Sequence, residues 1–288
     1  MLRYWFLAAR PKTLTAALIP VATATALAHA EGVARWEPAL LCFLFAALMQ
    51  VAANFINDLF DYLKGSDRED RLGPERAVAQ GWISPRAMRF GIAFTLMLAC
   101  GAGSALLRYG GPELIAVGAA CVVFAFLYTM VLSYRGMGDL LVWVFFGFVP
   151  VLGTYYVQAG TLSGSAWWLA AAVGLVTDTL LVLNNYRDRE QDALSGKRTL
   201  VVRFGERFGS LFYLLQGVAA VLCGALTAFY GHTWMAVLPI LYLLPHYLTW
   251  RKMVEIHRGR ELNRILAFTS RNMLTFAVLV VLALWVAA

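Results

Sequence analysis

The sequence predicts an all-α, polytopic membrane helical bundle of about nine transmembrane helices. Three observations predict it. Of its 288 residues, 60% are hydrophobic and only 14% charged, whereas soluble domains run nearer a quarter charged. Apolar runs near the roughly 20 residues needed to cross a bilayer recur along the chain. Basic residues are confined to alternate connections between those runs. The whole chain, 1–288, reads as a single membrane domain.

In order, the apolar runs are about Leu14 to Ala30, Pro38 to Asn57, Met88 to Leu107, Glu113 to Leu132, Leu140 to Val157, Trp167 to Leu183, Leu211 to Tyr230, Trp234 to Trp250 and Thr269 to Val286. The N-terminal segment and the connections after the second, fourth, sixth and eighth runs carry 22 of the 24 Lys and Arg residues, leaving Arg35 and Arg108 for the other side. Lys and Arg mark cytoplasmic connections. That side and the N-terminus are therefore expected in the cytoplasm, at the inner membrane, with the C-terminus outside. The net charge of +7 follows from this dispersed bias toward anionic lipid and gives no ground for nucleic-acid binding. The first run follows Arg3, Arg10 and Lys12 and ends in Ala28-His29-Ala30, which imitates a signal peptide. Further spans follow at once, so an uncleaved helix is expected. Cys42, Cys100, Cys121 and Cys223 all lie in apolar runs and read as packing residues, with neither CxxC nor ligand spacing to suggest a metal.

Two acidic clusters stand out. After the second run, Asn54, Asp58 and Asp61 are spaced i, i+4, i+7; after the sixth, Asn184, Asp188 and Asp192 are spaced i, i+4, i+8. Continued helix puts each set on one face. Asp58 and Asp188 stand 130 positions apart, each after an even-numbered span, which suggests a pseudo-repeat of four-helix halves; repeats of this kind place sites at their interface. Carboxylates sharing a face repel. Mg²⁺ would offset the repulsion, since it takes hard oxygen ligands and is commonly held by one or two carboxylates plus substrate phosphates. The bland alternative is solvated helix ends with surface pairing to Arg68, Arg71, Arg187 and Arg189; two matched clusters on one side weigh against it. Asp178, inside the sixth span, reads as a hydrogen-bonded structural carboxyl, although ionisable residues within spans are functional candidates.

At these residues the chain resembles the UbiA superfamily of intramembrane prenyltransferases, with NDLFD at Asn57 to Asp61 and DREQD at Asp188 to Asp192. The flanking text KGSDREDRLGPER, NNYRD and SGKRTLVVRFG, with SYRGMGDL, GTYYVQ and RPKT elsewhere, resembles more narrowly the 1,4-dihydroxy-2-naphthoate polyprenyltransferases of menaquinone synthesis. One departure is Gly65, where many relatives carry a third acidic residue; Asp67, with Asp70 nearby, is the substitute contributor.

The resemblance implies Mg²⁺-dependent transfer of a polyprenyl group from its diphosphate to dihydroxynaphthoate with loss of CO₂. Asp58, Asp61, Asp188 and Asp192, helped by Asn54 and Asn184, would hold about two Mg²⁺ ions. Lys64, Arg135, Lys197 and Arg198 are candidates for the diphosphate or the acceptor carboxylate. Tyr128, Tyr134 and Tyr155, with Tyr62 and Tyr156, lie in or beside the motif blocks and could face an allylic cation. No catalytic role falls to His29, His232, His246 or His257. The prenyl tail is expected between helices, open to lipid. Another aromatic acceptor such as 4-hydroxybenzoate, a secondary transporter and a noncatalytic prenyl-lipid-binding protein remain open alternatives. Prenyl chain length and oligomeric state are not readable from the sequence.

Overall fold

The structure, a computed structural model, describes residues 1–65 and 72–286. Among them eight helical segments are long and apolar enough to cross a membrane. A short helix α1 (Leu2–Ala9) turns at Arg10, whose φ of 50° starts α2 (Pro11–Ala30) in a new direction. α3 (Trp36–Leu63) carries the first acidic cluster in its last turns, and α4 (Pro85–Gly110) returns antiparallel to it. α5 (Glu113–Leu127) runs into a π-turn at Tyr128–Leu132. The next span is α6 (Gly138–Trp143), a second π-turn (Val144–Phe148) and α7 (Val149–Ala159). Then come α8 (Gly164–Leu194), which carries the second cluster, and α9 (Leu200–Ala225). α10 (Leu243–Ile256) and α11 (Leu262–Val286) close the chain.

The expected eighth span differs from the rest. Its stretch from Thr233 is two 3₁₀ turns, Thr233–Ala236 and Leu238–Tyr242, before α10 begins. Pro239, at the start of the second of these turns, and Pro245, in the first turn of α10, have no N–H to give to the preceding turn, which disfavours one continuous α-helix across the stretch. The most extensive helix pairings are α3 with α4 and α8 with α9. Each is the helix bearing an acidic cluster and the helix after it, in agreement with two related halves.

α8 is the axis of the bundle. Of its most apolar 18-residue stretch 72% is buried, against 6% for the span from Glu113 to Arg135. In hydrocarbon an outward Leu or Val loses nothing, so a peripheral helix stays apolar all round, and close approach of backbones takes over as the packing device. Around α8 gather Leu27 of α2, Val151 of α7, Val221 of α9 and Phe276 of α11. Its tightest contact is with the second π-turn. A β-carbon on Gly147 would stand 2.6 Å from Gly174 Cα and 2.7 Å from the Ala170 carbonyl oxygen, and one on Gly174 would stand 2.8 Å from the Trp143 carbonyl oxygen. Those obstacles are backbone, which cannot rotate aside. Gly147→Ala is accordingly expected to destabilise the protein by about 1–3 kcal/mol, read as a lowered thermal midpoint in detergent, whereas Gly153→Ala, with no heavy atom near the added carbon, leaves it unchanged.

Candidate active site

Asn54, Asp58 and Asp61 do share a face of α3, but the structure gives the first two other work. The Asn54 amide donates to the Ala9 carbonyl and to Thr13 Oγ1, both at 2.9 Å, pinning the α1–α2 corner. Asp58 is 1% exposed, and its two oxygens accept the backbone N–H groups of Ala77 and Val78 at 3.0 Å each. It thus fastens the connection between α3 and α4 down onto α3. Asp61 sits at the edge of this face and is paired with Arg76 of that connection at 2.7 Å. Asp67 and Asp70 lie outside the described residues.

The stripe of α3 that looks toward the rest of the site is Asn57, Asp61 and Lys64, again i, i+4, i+7. Asn57 Oδ1 accepts from Thr129 Oγ1 in the first π-turn and lines the main cavity. Lys64 Nζ donates to the carbonyls of Thr129 (3.0 Å) and Met130 (2.6 Å) and stands 4.0 Å from the centre of the Tyr134 ring. Burial draws its pKa below the ordinary lysine value, opposed by Asp61 and aided by Lys197. π-turns recur at functional sites, and this one is locked to the first cluster from two sides. Asn57 escaped the sequence reading even though it opens NDLFD; its i, i+4 relation to Asp61 is the same as that of Asn184 to Asp188.

On α8, Asn184 donates to the Leu180 carbonyl at 2.9 Å and lines the same cavity. Asp188 is gripped by both Nε and Nη2 of Arg187, at 2.7 and 2.6 Å. Asp192 Oδ1 is 3.5 Å from Lys197 Nζ, while its Oδ2 is buried without a hydrogen-bond partner. The connections also clasp each other. Arg198 N–H donates to the Tyr134 carbonyl and Arg203 to the Arg135 carbonyl, at 2.9 and 2.7 Å. Gly136, with φ of 77°, permits this, since a β-carbon there would stand 2.5 Å from the Arg198 carbonyl oxygen. The side chains of Arg135 and Arg198 are exposed.

The two clusters meet around Tyr128 and Lys64. The Tyr128 hydroxyl lies in the electrostatic field of Asp139, Asp178, Asp61 and Asp192, and Lys64 in that of Asp61 and Lys197. Among the described residues no group of three His, Cys, Asp or Glu side chains converges as a metal cage. Below this meeting point a cavity of about 590 Å³ opens, lined by Asn57, Tyr128 and Asn184 at the acidic end and by Val21, Cys42 and Val157 at the far end. Its wall takes in Cys100 and Ser104 of α4 and Ile115 of α5, all of them exposed.

Two further groups of polar residues are buried. Asp139 is 5% exposed with both oxygens unpartnered; Asp178 accepts from the Gln216 amide and keeps one oxygen unpartnered. Asp139 was missed because its block, SYRGMGDL, was read for Tyr134 and Arg135 alone. Tyr155 belongs elsewhere. It donates to Glu31 at the opposite end of the bundle, where Ser163 (3.3 Å) and His232 (3.1 Å) also contact that carboxylate. Only its burial inside the bundle distinguishes it from an interfacial Tyr, and the sequence does not mark that.

Paired acidic helix ends at the mouth of an apolar cavity define the site of a polytopic membrane protein. The chain belongs to the UbiA prenyltransferase family, whose model matches residues 17–274, and by that membership it is a prenyltransferase. It is 38% identical to a 1,4-dihydroxy-2-naphthoate octaprenyltransferase of Mycobacterium tuberculosis, over 97% of this chain and 96% of the relative. It is 32% identical to the protein of the same description from Escherichia coli, over 98% and 96%. Its fold superposes with a TM-score of 0.71 on a UbiA homolog from Archaeoglobus fulgidus bound to GPP and Mg²⁺, at 16% identity and covering 98% and 99% of the two chains.

Two expectations follow. Asp58→Asn exchanges an acceptor for a donor facing a backbone N–H, so the connection it holds loosens; tryptic cleavage at Arg76 in detergent should accelerate severalfold relative to wild type. For Glu31, burial alone would raise the pKa, but hydrogen bonds with His232, Tyr155 and Ser163 outweigh it and hold the carboxyl below its ordinary 4.5. Its stabilising contribution is complete above that value and is lost as the pH falls through the lowered one. Thermal midpoints measured across this range should drop for wild type and change less for Glu31→Gln.

Proposed function

We propose that this chain transfers a polyprenyl group from polyprenyl diphosphate to 1,4-dihydroxy-2-naphthoate, with loss of CO₂, in a Mg²⁺-dependent reaction. The observation that carries the reading is the pair of acidic helix ends, on α3 and α8, at the mouth of an apolar cavity that reaches the lipid-facing surface. The two near-full-length relatives support the naphthoate as acceptor. The homolog bound to GPP and Mg²⁺ supports the diphosphate and the ion. The basic end of the bundle faces the cytoplasm of the inner membrane in this reading, the side on which the acceptor is dissolved and the diphosphate head group meets water.

The residues present suit Mg²⁺ by their chemistry. Asn57, Asp61, Asn184, Asp188 and Asp192 offer only hard oxygen ligands, and Asp192 Oδ2 is a buried carboxylate oxygen with nothing to bond it. Asn54 and Asp58 are committed to the backbone and hold the first cluster in place. Bound there, Mg²⁺ would neutralise charge on the departing diphosphate. Lys197, Arg198 and Arg135 would meet the remaining phosphate oxygens or the acceptor carboxylate in this reading. Tyr128, which lines the cavity, is the aromatic residue that would stabilise the allylic carbon as the C–O bond breaks. The apolar walls hold the tail and keep out the water that would quench that carbon. The ring carbon that bears the carboxylate then bonds to the allylic carbon as the diphosphate takes the C–O pair, and the pair released by breaking the C–CO₂⁻ bond at that same carbon restores the aromatic ring.

The test is an assay in detergent with Mg²⁺, labelled polyprenyl diphosphate and a panel of aromatic acceptors. Prenylated product and stoichiometric CO₂ are expected with dihydroxynaphthoate, and Asp61→Ala and Asp188→Ala should each lower turnover about 100-fold or more. Prenylation of 4-hydroxybenzoate in preference to the naphthoate would refute the acceptor; no transfer to any acceptor would refute the enzyme.

A further inference from the structure

We propose that Asn263, in the first turn of α11, is a positioning residue that fixes the two acidic clusters relative to each other and thereby sets the affinity for a divalent cation with diphosphate; this rests on the metal–diphosphate reading above. Asn263 is remote in sequence from both clusters, yet its side chain is shared between them. Its Oδ1 accepts from Arg187 Nη1 at 2.8 Å, and its Nδ2 donates to the Leu72 carbonyl at 2.8 Å.

Each contact leads to a cluster by one step. The nitrogens of Arg187 that Asn263 leaves free, Nε and Nη2, grip Asp188. The Arg187 guanidinium is therefore held from both sides while 4% exposed, and the orientation of Asp188 is tied to Asn263. On the other side, Leu72 begins the described part of the connection that continues to Arg76, bonded to Asp61, and to Ala77 and Val78, bonded to Asp58. Holding the Leu72 carbonyl fixes the near end of the segment that Asp61 and Asp58 hold farther on.

The amide is the right group for this position. It must accept from a guanidinium and donate to a carbonyl at once, which Asp, Leu and Ala cannot do. Nor is the side chain occupied in starting its own helix: the backbone N–H of Asn263 goes to the Arg260 carbonyl, and both side-chain atoms are given to other segments. Ligand sets for small divalent ions need their members held within about 0.5 Å of productive geometry by such supporting contacts. α3 and α8 belong to different halves of the chain, and Asn263 is a polar link between the segments beside their acidic ends.

The experiment uses the full chain in detergent and Mn²⁺ as a spectroscopic substitute for Mg²⁺. Mn²⁺ binding is followed by electron paramagnetic resonance with and without inorganic pyrophosphate, beside thermal midpoints. Asn263→Leu, which removes both contacts, is expected to weaken Mn²⁺–pyrophosphate binding at least tenfold. Asn263→Asp, which keeps the Arg187 contact and loses the one to Leu72, should fall between Leu and wild type, with both midpoints within a few degrees of wild type. Wild-type affinity in Asn263→Asp and in any folded form of Asn263→Leu would overturn the proposal, as would losses that simply track a lowered midpoint. Absence of Mn²⁺–pyrophosphate binding in wild type would instead overturn the metal–diphosphate reading, and the proposal with it.

Discussion

A bilayer admits charge only where it is compensated, and α3 and α8 meet that condition at their ends with cations from the connections that follow them and, for Asp188, from α8 itself. Asp61 takes Arg76, Asp188 takes Arg187 and Asp192 takes Lys197. Each pair is partly buried, so removing one partner leaves an expensive uncompensated charge. The rest of the arrangement follows from keeping these pairs at one end of the bundle. Connections on that side fold inward, the π-turn at Tyr128–Leu132 offers its carbonyls to Lys64, and the apolar cavity begins directly beneath.

Much of the fold was legible because lipid imposes a simple rule on sequence. A span must be apolar for its length and its backbone must be satisfied within the helix, so all nine runs can be marked, and eight of them coincide with long helical segments. The ninth, Thr269 to Val286, lies within α11. The eighth is the instructive exception. Hydropathy counts Pro239 and Pro245 as ordinary members of an apolar run, whereas the backbone cannot, and the stretch from Thr233 to Tyr242 winds as 3₁₀ turns. The rule marks where a chain crosses; it does not say how regularly.

The site was legible in part, for a related reason. Helical spacing correctly groups Asn54, Asp58 and Asp61, but a shared face can point inward to backbone as readily as outward to ligand. The N–H groups that claim Asp58 belong to Ala77 and Val78, residues with no polar side chain to announce them. Moving the stripe three residues along gives Asn57, Asp61 and Lys64, of which Asn57 and Lys64 turn toward the π-turn at Tyr128–Leu132. Tyr155 shows a second limit: its motif block, GTYYVQ, lies in the last turns of α7, at the end of the bundle opposite the acidic clusters, where its hydroxyl meets Glu31. Lys64, assigned to phosphate from its charge, is engaged by carbonyls and an aromatic ring, contacts that a list of basic residues does not contain.

The family relation and the geometry bear on different parts of the account. Membership in the UbiA prenyltransferase family rests on residues 17–274 as a whole, whereas the assignment of Asn57, Asp61, Asn184, Asp188 and Asp192 as the set that meets the substrate rests on where α3 and α8 end. The most direct measurement of the latter is a structure of the protein with Mn²⁺ and a non-hydrolysable prenyl thiodiphosphate, in which anomalous scattering locates the ion. The account predicts Mn²⁺ peaks between Asp61 of α3 and Asp188 or Asp192 of α8, with Asn54 and Asp58 still bonded as they are now. Peaks bound by Asn54 and Asp58, or a thiodiphosphate held away from both helix ends, would contradict it.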